Sequence, residues 1–265
     1  NVIGVKSFTY FPHNEDPYKS LYSKILLFDR KHGEPLALVD GTSVTFFRTA
    51  GVSALASQFL SRENSEIFLL LGTGNLARFL IRAHASVRSL KKILIWGRTK
   101  ANAQDVVADM QKELPEIEFV LAENIQTACD QADIVVAATG SPDILVQGDW
   151  IKEGTHTDFL GNHHADKREC DTALVVKSKV YLDTYVNCFN EAGEVLLPIE
   201  EGVLKKEDIK GELAELCKAE VKGRENDSEI TLFKSVGSAL SDLVGANHAF
   251  QSLLKSQKFK KNMYI

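Results

Sequence analysis

An α/β fold around a parallel sheet is predicted by three observations. Residues 66–77 read Glu-Ile-Phe-Leu-Leu-Leu-Gly-Thr-Gly-Asn-Leu-Ala, an apolar run that ends in a Gly-x-Gly-x-x-Ala turn. A helical pattern from Asn75 to Val87 follows, and then a second buried-type strand, Lys92 to Gly97. From there to about residue 185, apolar segments of strand length alternate with helical ones, as expected of a parallel sheet covered on both faces. Together these make the layout of a dinucleotide-binding βαβ unit of the Rossmann type.

Taken in order, the elements divide into three parts. Residues 1–62 hold extended segments at Lys24–Phe28 and Pro35–Val39, split by the turn Lys31-His32-Gly33, and then a helix opening near Thr42 or Ser43 that carries Arg48. The polar stretch Ser61–Ser65 is the expected boundary. Residues 63–233 form the nucleotide-binding part, with strands expected at Ile67–Leu71, Ile93–Trp96, Glu118–Leu121, Asp133–Ala138, Thr155–Leu160 and Val180–Thr184. Beyond them Asn190–Leu197 and Glu212–Ala219 read as helical and Glu229–Lys234 as extended. Residues 234–265 hold a long amphipathic helix, Gly237–Ser256, expected to pack back onto the N-terminal part.

The turn specifies chemistry as well as fold. Gly72 lets the strand turn sharply, Gly74 lets the backbone approach a pyrophosphate, and the small Ala77 lets helix pack on strand. Thr73, Asn75 and Leu76 complete the loop. At the tip of the second strand, where NAD-preferring sites carry an acid for the ribose hydroxyls, this chain has Gly97-Arg98-Thr99-Lys100. A guanidinium beside a hydroxyl suits a 2′-phosphate dianion, so NADPH is preferred, with NADH possible.

Bulk properties bound the alternatives. At 265 residues and 44% hydrophobic the chain can build a large core and two domains. A formal charge of −5 and a pI near 5.9 argue against a nucleic-acid partner, and the short basic tail Lys255–Lys261 reads as a solvated terminus. Cys129, Cys170, Cys188 and Cys217 are widely spaced with no Cys-x-x-Cys pair, which fits reduced thiols in a cytoplasm. No apolar stretch approaches bilayer length, so no membrane is expected. The chain starts at Asn1 inside sequence that reads as structured, and a further N-terminal segment is expected to precede it.

Several motifs occur in order and carry a family resemblance: Gly4-Val5-Lys6, Leu27-Phe28-Asp29, Gly33-Glu34-Pro35-Leu36-Ala37, Asp40-Gly41-Thr42 with Arg48-Thr49-Ala50, Ala132–Val136, Gly154-Thr155-His156 and Glu229–Gly237. Together they resemble the ornithine cyclodeaminase and mu-crystallin family across nearly the whole chain, without the family's first residues. The resemblance implies a homodimer in which a discontinuous α+β substrate-binding and dimerisation domain, made from the two chain ends, accompanies a Rossmann NAD(P)-binding domain. It implies that Lys6 and Arg48 hold a substrate carboxylate, joined by an arginine from the preceding segment. It also implies cofactor contacts from Gly72 to Ala77, from Arg98, Thr99 and Asn102, from Thr139, Gly140 and Ser141 at the end of the fourth strand, and from Leu160, Gly161 and Val236 near the nicotinamide. For Leu160 and Val236, core packing reads almost as well.

One departure is informative. Residues 161–171 read Gly-Asn-His-His-Ala-Asp-Lys-Arg-Glu-Cys-Asp, where cyclodeaminases resemble Gly-x-Asp-x-Pro-Gly-Lys-x-Glu-Leu-Asp. The aspartate that handles protons during deamination is His163 here, and mu-crystallin, a ketimine reductase, also lacks it. The family then implies reduction of a preformed C=N bond, with Δ1-pyrroline-2-carboxylate or Δ1-piperideine-2-carboxylate as substrate. Ornithine cyclodeamination, an alanine-type dehydrogenase and a mu-crystallin-like binding protein with little turnover are the competing readings. His163 either gives a proton or bonds the loop backbone. Lys167 and Glu169 match the family or brace the loop. His156, His163 and His164 lack the carboxylate or thiolate partners of a metal site, and none is expected.

Overall fold

The computed structural model describes residues 2–256 except Pro12 and Asp16, so the basic tail beyond Ser256 lies outside the described residues. In chain order the strands and helices are β1 (Val2–Tyr10), β2 (Leu21–Asp29), β3 (Pro35–Asp40), α1 (Gly41–Leu60), β4 (Ile67–Leu71), α2 (Ala77–Val87), β5 (Lys92–Trp96), α3 (Lys100–Glu113), β6 (Glu118–Leu121), α4 (Ile125–Gln131) and β7 (Ile134–Ala137). They continue with β8 (His156–Phe159), α5 (Thr172–Lys177), β9 (Lys179–Leu182), α6 (Tyr185–Glu191), α7 (Gly193–Glu200), β10 (Gly211–Glu212), α8 (Leu213–Cys217), β11 (Thr231–Lys234) and α9 (Ala239–Lys255).

Two compact units emerge, residues 1–49 with 238–265, and residues 50–237. The sequence placed the boundaries after 62 and after 233. The first differs because α1 is one continuous helix whose first residues count with the first unit and whose remainder counts with the second; the second lies four residues further on, before α9. In the first unit, β1, β2 and β3 form an antiparallel sheet in that order, and Gly33 turns β2 into β3 at φ 75°. β1 was not anticipated: its outer half is exposed, so it lacks the clean alternation of a half-buried strand. Helix α9 lies on this sheet, and a Cβ on Gly4 would come within 2.8 Å of Leu243.

The second unit is the expected parallel α/β sheet, eight strands in the order β10-β9-β11-β8-β7-β4-β5-β6. Its strands alternate between two cores. Leu69, Leu71, Val135 and Ala137 look into one, and Phe68, Leu70, Ile134 and Val136 into the other. Full burial of side chains of this size contributes roughly 1.5–3 kcal/mol each, and burial on both faces explains the near-continuous apolar runs. The expected helix Asn190–Leu197 is broken at Ala192 into α6 and α7, and the backbone there packs tightly: a Cβ on Gly193 would sit 2.0 Å from the Lys167 carbonyl oxygen.

This core encloses titratable groups. Asp158, in the middle of β8, is fully buried; burial pushes its carboxyl from 3.8 up to about 7, opposed by a hydrogen bond donated by Ser53. The folded chain therefore keeps a proton that the unfolded chain releases. The stability this contributes is complete below pH 3.8 and lost as pH rises through about 7. Buried His84, lowered by desolvation to about 4, and His156, lowered further, have the opposite sign, and their penalty grows below pH 6.5. Comparing Asp158→Asn with the parent chain isolates the carboxyl. The unfolding free energy of the variant should gain on that of the parent as pH rises from about 4 to about 7, on the order of 1 kcal/mol per pH unit, read by denaturant titration at each pH. A difference that stays flat with pH would refute the assignment.

Candidate functional site

The C-terminal ends of the parallel strands carry the glycine loop. Sheet order reverses between β4 and β7, the switch point at which open α/β sheets bind ligands. Gly72 leaves β4 at φ 119°, and a Cβ there would lie 2.5 Å from the Ala138 carbonyl oxygen at the end of β7. Only glycine takes that turn against that neighbour. Cβ atoms on Gly74 and Gly140 would meet nothing within 4 Å, so the backbone faces open space in front of α2, whose first residue, Ala77, is buried. That is the shape and polarity a pyrophosphate needs. Thr73 packs over Gly97, where a Cβ would come within 2.6 Å of its methyl, and Asn75 is exposed beside the half-buried Leu76.

At the tip of β5, Arg98 and Thr99 are exposed, and Arg98 has no hydrogen bond or ion pair among the described residues. Thr99 stands at the N-cap of α3 without a side-chain cap bond, and Asn102 is exposed in the first turn. Lys100 is occupied by Glu123 at 2.6 Å. One free guanidinium, one free hydroxyl and one amide therefore share the place where an adenosine ribose lies in such folds.

Buried charges fix the neighbouring loops: Glu169, expected as a family match or a brace, and Asp183, Glu194 and Lys234, which the sequence did not single out. Glu169 is fully buried and accepts from the Thr139 backbone N–H at 2.8 Å, the Thr139 hydroxyl at 2.6 Å and the Gly161 N–H at 2.7 Å. Burial raises its pKa, while the Thr139 hydrogen bonds pull the other way. The carboxylate thus clasps the ends of β7 and β8, so Glu169 braces the loop. A Cβ on Gly161 would sit 1.9 Å from the Thr139 carbonyl oxygen. Asp183 does the same after β9, accepting from the N–H groups of Val236 at 3.0 Å and Gly237 at 2.6 Å and from the Ser235 hydroxyl at 2.9 Å. Between them lies a fully buried ion pair, Lys234 with Glu194 at 2.7 Å; Lys234 also donates to the Asn162 carbonyl at 2.7 Å, and Asn162 donates to the Ser141 carbonyl at 3.1 Å. Leu160 and Val236 are half-buried against the two different cores.

His163 lies at the surface, its ring stacked on His164 with centroids 4.7 Å apart. Partial desolvation, then the neighbouring His164, lower its pKa, which favours the uncharged imidazole over the imidazolium. His156 belongs elsewhere: it is buried at the opposite end of β8 and bonded to Thr231. No group of three or more His, Cys, Asp or Glu able to hold a metal occurs among the described residues. Nor is any helix among them long and apolar enough to cross a membrane.

The first unit carries the two cations. Lys6 on β1 donates to the Thr45 hydroxyl at 2.7 Å and to Asp242 Oδ1 at 3.0 Å, and Arg48 Nε donates to the same oxygen at 3.0 Å. The side chains are mostly shielded, with 19%, 14% and 10% exposure for Lys6, Arg48 and Asp242. Gly245 on α9 allows the close approach to α1, since a Cβ there would stand 3.0 Å from Val44. Asp242 was not anticipated, because nothing local in α9 marks an acid whose partners lie at the other end of the chain.

Comparison with known proteins finds relatives over nearly the whole chain. The chain is 48% identical, over 95% of its length and 80% of the relative's, to a Δ1-pyrroline-2-carboxylate reductase of Colwellia psychrerythraea. Its fold is similar, at a TM-score of 0.91 and 38% identity, to the Δ1-pyrroline-2-carboxylate reductase of Thermococcus litoralis in complex with NADH and L-proline, covering 96% of this chain and 78% of that one. It is also similar, at a TM-score of 0.91 and 26% identity, to a dimeric archaeal alanine dehydrogenase with bound NAD, covering 100% and 80%. With residues 1–257 matching the family as a whole, the chain belongs to the ornithine cyclodeaminase/mu-crystallin family.

Proposed function

We propose that this chain is an NAD(P)H-dependent oxidoreductase that reduces a cyclic imino acid, converting Δ1-pyrroline-2-carboxylate to L-proline, Δ1-piperideine-2-carboxylate to L-pipecolate, or both. The observation that carries the reading is His163. An imidazole stands where deaminating members of the family carry a proton-handling aspartate, in a chain nearly half identical to a pyrroline-2-carboxylate reductase. The other residues suit that chemistry. Lys6 and Arg48 supply the hydrogen-bonding cations that a carboxylate requires in a shielded site. The imine binds protonated and already electrophilic, so no strong protein acid is needed, and His163 accepts a hydrogen bond or exchanges a proton with water. When bound, the nicotinamide supplies hydride to the imine carbon. What the chain contributes is fixed orientation: the pyrophosphate on Gly72–Ala77, and the strand-end loops held by Glu169 and Asp183.

A preference for NADPH is supported by the unpaired Arg98 and the free hydroxyl of Thr99, although NADH and NAD are what the neighbouring structures hold. A homodimer is supported by exposed Ile3, Val5 and Leu38 on the antiparallel sheet and by the dimeric archaeal relative. A reducing cytoplasm suits the four unpaired cysteines.

One set of assays tests the reading. Oxidation of NADPH and of NADH is followed with the five- and six-membered cyclic imines, beside ornithine and beside pyruvate with ammonia. Turnover is expected with the imines alone, and none with either imine would overturn the function. In the same assay Arg98→Ala should raise the Michaelis constant for NADPH roughly tenfold or more while leaving that for NADH near its starting value. Equal effects on both would remove the 2′-phosphate assignment.

A further inference from the structure

Lys6 and Arg48 are not two free cations. Both donate to one oxygen of one carboxylate, and the consequence can be counted donor by donor. Of the three N–H bonds on Lys6 Nζ, one is directed to Thr45 and one to Asp242. Thr45 itself donates to the Gly41 carbonyl at 2.8 Å, so its oxygen is an acceptor toward Lys6. Arg48 spends only Nε, and its two terminal nitrogens have no partner among the described residues. What remains is one ammonium N–H and the outer edge of one guanidinium, both aimed by the same anchor. In charge, the cluster adds up to a single positive unit, two cations less one carboxylate.

We propose that Asp242 is the positioning and specificity-determining residue of the substrate-carboxylate site. It holds the free edges of Lys6 and Arg48 in place and trims the pair to the charge that one carboxylate neutralises, so a second carboxylate on the same substrate carbon is rejected. The proposal rests on the assignment of Lys6 and Arg48 to the substrate carboxylate. Its physical basis is that a shielded site binds best the ligand whose charge it cancels, and that specificity is created as much by the charge left out as by the charge supplied. An Asp242 removed from the cluster would leave two adjacent cations, a better match for a dianion.

The test uses direct binding, so it does not depend on turnover. Dissociation constants are measured calorimetrically for cyclopentanecarboxylate and cyclopentane-1,1-dicarboxylate, which share a ring and differ by one carboxylate on one carbon, with the protein saturated in NAD+. The parent chain should prefer the monocarboxylate. Asp242→Asn keeps the shape and an acceptor oxygen but removes the charge, and should shift the preference toward the dicarboxylate by about tenfold. Lys6→Met should weaken the monocarboxylate at least as much, and adding Asp242→Asn to it restores the original net charge and should recover binding. That recovery also covers the case in which the single Asp242 variant fails to fold, because the pair is removed together. Parallel weakening of both ligands in Asp242→Asn, no recovery in the double variant, or binding of neither ligand to the parent would each overturn the proposal. Failure of the imine assay alone would overturn the reaction and leave this charge assignment standing on its own measurement.

Discussion

Lys234→Met is expected to lower the stability of the fold by about 3–5 kcal/mol, the usual loss when one member of a buried ion pair is deleted. Both Lys234 and Glu194 are fully enclosed, and the substitution leaves the Glu194 carboxylate without its counter-charge and the Asn162 carbonyl without its donor. Methionine fills most of the lysine's volume, so the loss comes from charge rather than from a cavity. For a chain of this size it corresponds to a drop in melting temperature on the order of 10 °C. Lys234→Met combined with Glu194→Gln should recover a large part of it, since a neutral amide can still accept from the Glu169 N–H that Glu194 serves. A single variant melting within a degree or two of the parent, or a double variant no better than the single, would show that the pair does not carry this load.

The interactions that make Lys234 important are also those that sequence reading could not reach. The Gly72–Ala77 turn is legible because its logic is local: strand, turn and helix follow within a few residues, and the positive φ of Gly72 is a property of one position. Arg98 is legible for the same reason, as the residue at the tip of the next strand. Asp183 and Glu194 look like ordinary surface acids in the sequence, and for Glu169 the motif suggests a brace without saying what it joins. What marks them is burial beside partners far along the chain, Thr139 for Glu169, residues 235–237 for Asp183 and Lys234 for Glu194.

Sheet order was out of reach for a related reason. Alternating strands announce a parallel sheet, yet nothing local tells that β11 inserts between β8 and β9. Once it does, Lys234 at its end is carried into the interior, where an acid is required. Asp242 extends the pattern: an acid on the last helix acquires its role only when that helix meets β1 and α1. Local chemistry announces the glycine loop, and long-range packing decides which charges are paired and which are left free.

Arg48→Ala should separate those two layers kinetically, lowering kcat/KM for the cyclic imine by roughly 10²–10³ while the dissociation constant for NADPH stays near that of the parent. The size follows from the charge-assisted hydrogen bonds that the terminal nitrogens are placed to make, each worth about 1.5–3 kcal/mol. A contact made equally to bound substrate and transition state would appear wholly in KM. Because the carboxylate is attached to the carbon that receives hydride, losing its grip also loosens the angle of attack, and part of the effect should fall on kcat. Arg48→Lys should recover some KM and little kcat, since an ammonium supplies charge without the planar fork. It would also change the anchor, because Asp242 Oδ1 accepts one of its two side-chain hydrogen bonds from the guanidinium Nε. Unchanged turnover in Arg48→Ala would sink the carboxylate assignment, and with it the division of labour between the glycine loop and the cation pair.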